Sequence, residues 1–166
     1  MREYLGKVLL LNGPNLNLAH IRNKNIYGGV SLHEIESRVR LMIEAKGLRL
    51  DAVQTNEEGT LITHIHSCVT DYHGLIINPG GYTHTSVAIR DALELLAVPI
   101  IEVHLSNIQA RERFRSRSLI ASVVWGRIEG FGIIGYELAA QALLLKIADN
   151  WKVSNSTNNN HLSKGD

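Results

Sequence analysis

Cysteine is nearly absent from this chain: Cys68 is the single one in 166 residues. No internal disulfide can form, and a reducing compartment such as the cytoplasm suits the protein. A surplus of charge is missing too. Seventeen Lys and Arg face sixteen Asp and Glu, for a net charge of +1, so no general affinity for nucleic acid or anionic membrane follows. Long hydrophobic runs are also lacking. The longest early apolar stretch, Val8–Leu11, is far too short for a signal-peptide core or a membrane span. No internal repeat or second domain is visible. What remains is an ordinary globular composition, 45% apolar and 20% charged, long enough for one domain with a sizeable core.

Apolar runs and helical spacing alternate along the chain. "KVLLLN" (7–12) reads as a buried strand closed by Gly13-Pro14. "SLHEIESRVRLMIEAKG" (31–47) starts with Ser31 as N-cap and Glu34 three residues on, and Gly47 supplies the stop. "LRLDAVQ" (48–54) alternates as a strand, 58–73 reads as a helix, and "GLIINPGG" (74–81) as a second buried strand. A helix over 86–97 precedes a strand over 98–107, whose Pro99 sits at the start, where a missing N–H is tolerated. A last strand is expected over 121–128 and a closing helix over 133–151. Five strands, apolar on both faces and alternating with helices, call for a parallel α/β sheet covered on each side. The matching architecture is the flavodoxin-like doubly wound order 2-1-3-4-5. The expected organisation is one α/β domain over 1–151, with a long loop at about 16–28, and a disordered polar tail over 152–166.

In such a sheet ligands sit at the carboxyl ends of the strands. There the sequence places Asn12-Gly13-Pro14-Asn15, then Asn78-Pro79-Gly80-Gly81-Tyr82-Thr83-His84, then Glu102, His104, Ser106 and Asn107. These segments are rich in amides, hydroxyls and imidazoles and poor in aspartate. Each has a plain structural reading as well: Gly80-Gly81 as a turn, Asn78 as a turn former, Ser106 as the cap of a following helix. Their convergence on one edge favours a site. The loop "LAHIRNKNIYGG" (18–29) adds Arg22, Lys24 and Tyr27. A phenol beside two cations fits a need for a phenolate, although Tyr27 could also simply pack the loop.

Three segments, "LNGPNLNL" (11–18), "INPGGYTHTSVAIRDAL" (77–93) and "PIIEVHLSNIQARERFR" (99–115), resemble the signatures of type II 3-dehydroquinate dehydratase. With 54–66 and 130–143 the resemblance covers roughly residues 7–145, in family order and spacing. It implies a cofactor-free, metal-free enzyme of the shikimate pathway, a hydro-lyase that converts 3-dehydroquinate to 3-dehydroshikimate by anti elimination through an enolate. Carried over by position, Tyr27 removes a proton beside the ketone, His104 protonates the departing hydroxyl, Arg22 stabilises the charged state, and Asn15 holds the water or enolate oxygen. Asn78, His84, Arg115 and the Leu105-Ser106 segment bind substrate hydroxyls and carboxylate. The family assembles as dodecamers built of trimers, in which Asp91 reaches a neighbouring subunit's site.

Elementary chemistry fits these roles. A free phenol ionises near pH 10. One guanidinium at ~4 Å, at an effective dielectric near ~20, contributes about 4 kcal/mol, enough to make a working base near neutrality. Arg22 could supply it if the loop closes and excludes water. On a strand Glu102 and His104 share a face, so the carboxylate can fix the imidazole and favour its cationic form. Ser106 and the following N–H groups would open a short helix suited to a carboxylate, with Arg115 on that helix as a planar clamp.

Other readings fail on spacing. "HIHSC" (64–68) resembles a zinc cluster, yet residues two apart on a helix diverge. The arginines of "RERFRSRS" (111–118) lack an aromatic platform for nucleic acid. None of the six lysines is expected at a strand end, as Schiff-base chemistry would need. Rival readings are a non-catalytic flavodoxin-like binding or signalling module, and an assembly whose site has decayed. The resemblance makes 1–151 a catalytic domain and the loop at about 16–28 its lid, which departs from the family form, leucine-glycine-any-arginine-glutamate-proline: here it runs His20-Ile21-Arg22-Asn23-Lys24. Loss of proline should loosen closing and affect substrate affinity more than the chemical step. Ser116-Arg117 stand where the family often carries two histidines.

Overall fold

The structure, a computed structural model, describes residues 4–19, 21 and 31–162. The strands are β1 (Gly6–Asn12), β2 (Leu48–Gln54), β3 (Leu75–Asn78), β4 (Ile100–His104) and β5 (Gly126–Glu129), and the helices are α1 (Leu32–Glu44), α2 (Glu58–Ser67), α3 (Val87–Glu94) and α4 (Ile134–Leu162). All strand pairs are parallel and the order is β2-β1-β3-β4-β5, the doubly wound arrangement expected from the alternation. Apolar side chains leave both faces of the strands. Val8, Leu10, Ile76 and Val103 pack under α1 and α4, against Ile35, Val39, Ala139 and Leu143. Leu9, Leu11, Leu75 and Ile77 pack on the other face under α2 and α3, against Leu61, Ile65, Ile89 and Leu93. Burial of two-sided strands of this kind is what holds a parallel sheet together.

Helix starts follow the expected chemistry. Ser31 Oγ accepts from Glu34 N–H and Ser86 Oγ from Ile89 N–H. Glu34 does not close a reciprocal box; its carboxylate pairs with Arg38 at 2.8 Å instead. Gly47 takes a left-handed φ of 77° just beyond α1, the backbone state that lets the chain turn into β2.

The ends of elements depart from the sequence reading. Helix α2 stops at Ser67 rather than continuing to 73, because turns follow in which Thr70 Oγ1 bonds Asp71 and Asp71 N–H bonds Ser67 O. Local side-chain bonds compete there with helical ones. Residues 120–123 turn, with Val123 N–H donating to Ile120 O, so β5 begins only at Gly126. The segment's valines nevertheless pack against the second core cluster. Helix α4 runs to Leu162, past the expected end at 151 and into the segment read as a disordered tail. No glycine or proline stands between Gly135 and Gly165, so a helix nucleated against the core meets no strong stop signal.

Candidate active site

Parallel pairing puts three polar strand ends side by side. Asn12 and Asn78 are register partners at the ends of β1 and β3, and β4 ends in His104 next to β3. The connecting backbone is drawn tight above them. Gly13 N–H donates to Asn78 O at 2.7 Å, and a Cβ on Gly13 would lie 2.6 Å from the Pro79 carbonyl. Only glycine allows that approach. Asn15 adopts a left-handed φ of 66°, and its N–H is held by Asn56 Oδ1 at 3.0 Å. Asparagine tolerates that conformation better than most residues.

The result is a polar cavity of about 120 Å³ lined by Asn15, Asn78, His84, His104, Ser106 and Arg115, among others. Under it sits Glu102, fully buried. A buried carboxylate is costly unless its oxygens are satisfied. Oε1 accepts from His104 Nε2 at 2.7 Å and from Thr83 Oγ1, while Ser118 Oγ lies 3.0 Å from Oε2. Burial raises the Glu102 carboxyl, but its bond to His104, the charge of that ring and the Thr83 and Ser118 hydroxyls outweigh it, and the net direction is downward. Glu102 is therefore a carboxylate at neutral pH. With the His104 Nε2 proton directed at it, Nδ1 is left as the ring nitrogen available to the cavity.

His84 differs. Its Nδ1 donates to Arg117 O at 2.8 Å, which leaves Nε2 as an acceptor. Burial is the main cause that lowers its pKa, with the charges of His104 and Arg115 adding to it. One wall thus offers a neutral acceptor imidazole and another an imidazole backed by a carboxylate. The two imidazoles thus stand in different hydrogen-bonding environments within one cavity.

A family model described as "Dehydroquinase class II" matches residues 6–144. This chain belongs to that family. Among its relatives, a 3-dehydroquinate dehydratase of Bacillus cereus (strain AH820) is 48% identical over 143 residues, covering 86% of this chain and 98% of the relative. The crystal structure of the type II dehydroquinase of Propionibacterium acnes has a TM-score of 0.80 at 39% identity, covering 85% of this chain and 97% of that one. That of Butyrivibrio crossotus DSM 2876 has a TM-score of 0.79 at 41% identity, over 83% and 97%.

In this class II dehydroquinase, the residues singled out from sequence fall into three groups. Asn15, Asn78, His84, His104, Leu105, Ser106 and Arg115 line one cavity, with Glu102 directly behind His104. Asp91 lies on α3, exposed, and does not line this cavity. Arg22 and Tyr27, with His20, Asn23 and Lys24, lie outside the described residues; of the lid, Leu16–Leu18 form a 3-10 turn. The helix expected after Ser106 is not a single helix. Two separate 3-10 turns occur, Ile108–Ala110 and Arg113–Arg115, and the first is capped by Asn107, not Ser106. Turns of three residues carry little macrodipole, so the positive charge comes from guanidinium groups. Arg115 and Arg111 both reach the cavity, and Glu112 holds them at 2.8 and 3.6 Å.

Sequence reasoning did not single out Arg111 from the arginines of 111–118 as a lining residue, and it missed the contacts that Thr83, Ser118 and Tyr136 make. The first stood among look-alike arginines. The hydroxyls act on Glu102 from 19 and 16 residues away, and no local pattern announces such a contact.

Proposed function

We propose that this protein eliminates water from 3-dehydroquinate to give 3-dehydroshikimate, with no cofactor in any step. Tyr27, as phenolate, takes a proton from the carbon beside the ketone, and the electron pair passes to the carbonyl oxygen as an enolate. Asn15 and its held water stabilise that oxygen. Collapse of the enolate expels the hydroxyl on the opposite face, which leaves as water with a proton from His104. Atoms and charge balance through proton transfers alone. Arg22 lowers the phenol's proton affinity, and Glu102 orients the imidazole. His84 Nε2 accepts from a substrate hydroxyl. Asn78, Arg115 and the Leu105-Ser106 segment hold hydroxyls and carboxylate.

The observation that carries this reading is the Glu102–His104 pair at 2.7 Å facing a polar cavity at the strand ends. A proton donor for a poor leaving group needs this arrangement. The relatives give no support to a non-catalytic binding module. The product is a conjugated enone, so ultraviolet absorbance should rise when 3-dehydroquinate is added in the presence of a chelator. A rate no faster than the uncatalysed one would end the proposal. Tyr27→Phe should abolish turnover with the fold intact; retained activity would place the base elsewhere.

The assembly proposed with this function is a dodecamer of four trimers in the cytoplasm, with the exposed Asp91 of one subunit completing a neighbour's site. Among the described residues, no helix is long and apolar enough to cross a membrane. Twelve chains of 18.4 kDa amount to about 220 kDa, which light scattering reads directly. A mass near that of one chain would refute both the assembly and the role of Asp91.

A further inference from the structure

Behind Asn78, which lines the cavity, two further polar side chains complete a buried line, and no step above uses those two. Asn78 Nδ2 donates to Tyr136 Oη at 2.7 Å, and Tyr136 Oη donates to Asn12 Oδ1 at 2.8 Å. Tyr136, in the first turn of α4, and Asn12 are 0% exposed, and Asn78 is 3% exposed. Phenylalanine carries the same ring without the hydroxyl, so the hydroxyl calls for an explanation beyond ring packing. A hydroxyl has one proton to give. Because Tyr136 gives it to Asn12, it can only accept from Asn78. Gly80 N–H, at 3.1 Å, donates to Asn78 Oδ1. Two independent contacts thus impose one orientation on the Asn78 carboxamide, with the oxygen toward Gly80 and the nitrogen toward Tyr136. The second Nδ2 hydrogen stays available to the cavity as a donor. Burial pushes the Tyr136 hydroxyl far up, so it keeps its proton throughout the working range.

We propose that Tyr136 is a positioning residue whose hydroxyl, bridged between Asn12 and Asn78, locks the Asn78 carboxamide so that it presents an N–H to an oxygen of the substrate. The proposal rests on the reading that Asn78 binds substrate. An amide free to flip would present its oxygen part of the time, and the ligand would meet acceptor against acceptor.

The test is a double-mutant cycle on the full chain, with turnover of 3-dehydroquinate followed by absorbance and folding followed by circular dichroism and thermal melting. Tyr136→Phe should raise KM about tenfold, the size of one lost aligned hydrogen bond, and leave kcat within about threefold, since uniform binding is what is removed. In an Asn78→Ala background Tyr136→Phe should raise KM no further. A lower melting temperature with an unchanged KM, or effects on KM that add in the double variant, would overturn the proposal. If Tyr136→Phe does not fold, Asn12→Leu tests the same line from its far end. Leucine is close to asparagine in shape, loss of Asn12 Nδ2 strands no hydrogen-bond partner among the described residues, and the Tyr136 proton freed from Asn12 Oδ1 can turn to Asn78. KM should again rise, and only while Asn78 is present; an unchanged KM would overturn the proposal by this route. Absence of turnover in the unmutated chain would defeat the dehydration reading and this role with it. Normal turnover with an additive cycle would defeat this role alone.

Discussion

Glu102 is a charge that the fold buries completely and then surrounds with donors, and His104 takes its orientation from that charge. Replacing the carboxylate with an amide tests the dependence with little change of shape. Glu102→Gln should lower kcat by about 100-fold, the lower range for a lost acid–base function, with a much smaller change in KM. Steady-state rates decide it, and a kcat within about threefold of the parent would show that His104 needs no carboxylate. This pair is legible in the sequence, because residues two apart on a strand share a face. The donors that keep Glu102 ionised are not. Thr83 comes from the turn after β3 and Ser118 from the segment after Arg115, and only folding brings them to the same oxygen atoms. For the same reason Tyr136 stays hidden in the sequence, 124 residues from Asn12 and 58 from Asn78.

At the level of elements, the starts of helices and strands carry local signals and the site depends on tight backbone crossings between them. Ser86→Ala should cost about 1 kcal/mol, the usual value of a lost cap, read as a shift in the urea midpoint. No shift would mean that the Ile89 N–H finds another partner. Gly13→Ala acts differently. Its Cβ would press on the Pro79 carbonyl at 2.6 Å, and backbone cannot rotate away as a side chain can. A loss of about 1–3 kcal/mol, as for other overpacked sites, should come with a raised KM, because Pro79 follows Asn78 in the same turn. Stability loss with an unaltered KM would separate this crossing from the site. Ser31, Ser86 and Gly47 can be read as caps from sequence, since each acts on its own neighbours. The late start of β5 and the two short turns in place of one helix cannot, because valines suit a strand and a packed turn equally well, and propensity leaves that choice to tertiary contacts.

For the whole molecule, acid should bring out the half-buried His84. The pKa of His84 is lowered from 6.5, so as pH falls the unfolded chain takes up its proton first and the folded state loses stability from about that pH downward. Above it, both states are neutral and the group contributes nothing. His84→Gln should therefore gain stability over the parent as pH falls below about 6.5 and show no such gain at about pH 8; a difference independent of pH would contradict the burial effect. Glu102 acts lower, where its depressed value means stability present above 4.5 and lost as pH falls beyond it. On its own the sequence determined the architecture. Strands apolar on both sides, alternating with helices, leave few ways to bury both faces, and the parallel order β2-β1-β3-β4-β5 is the one that formed. It also determined which strand ends carry polar and titratable groups, because those residues are local to the ends. Tertiary structure alone decided how those groups are held: the hydroxyls on Glu102, the carbonyl on His84 and the phenol between two asparagines. Hydrogen bonds across such separations depend on sub-ångström placement by packed layers, and no periodicity in the chain encodes it.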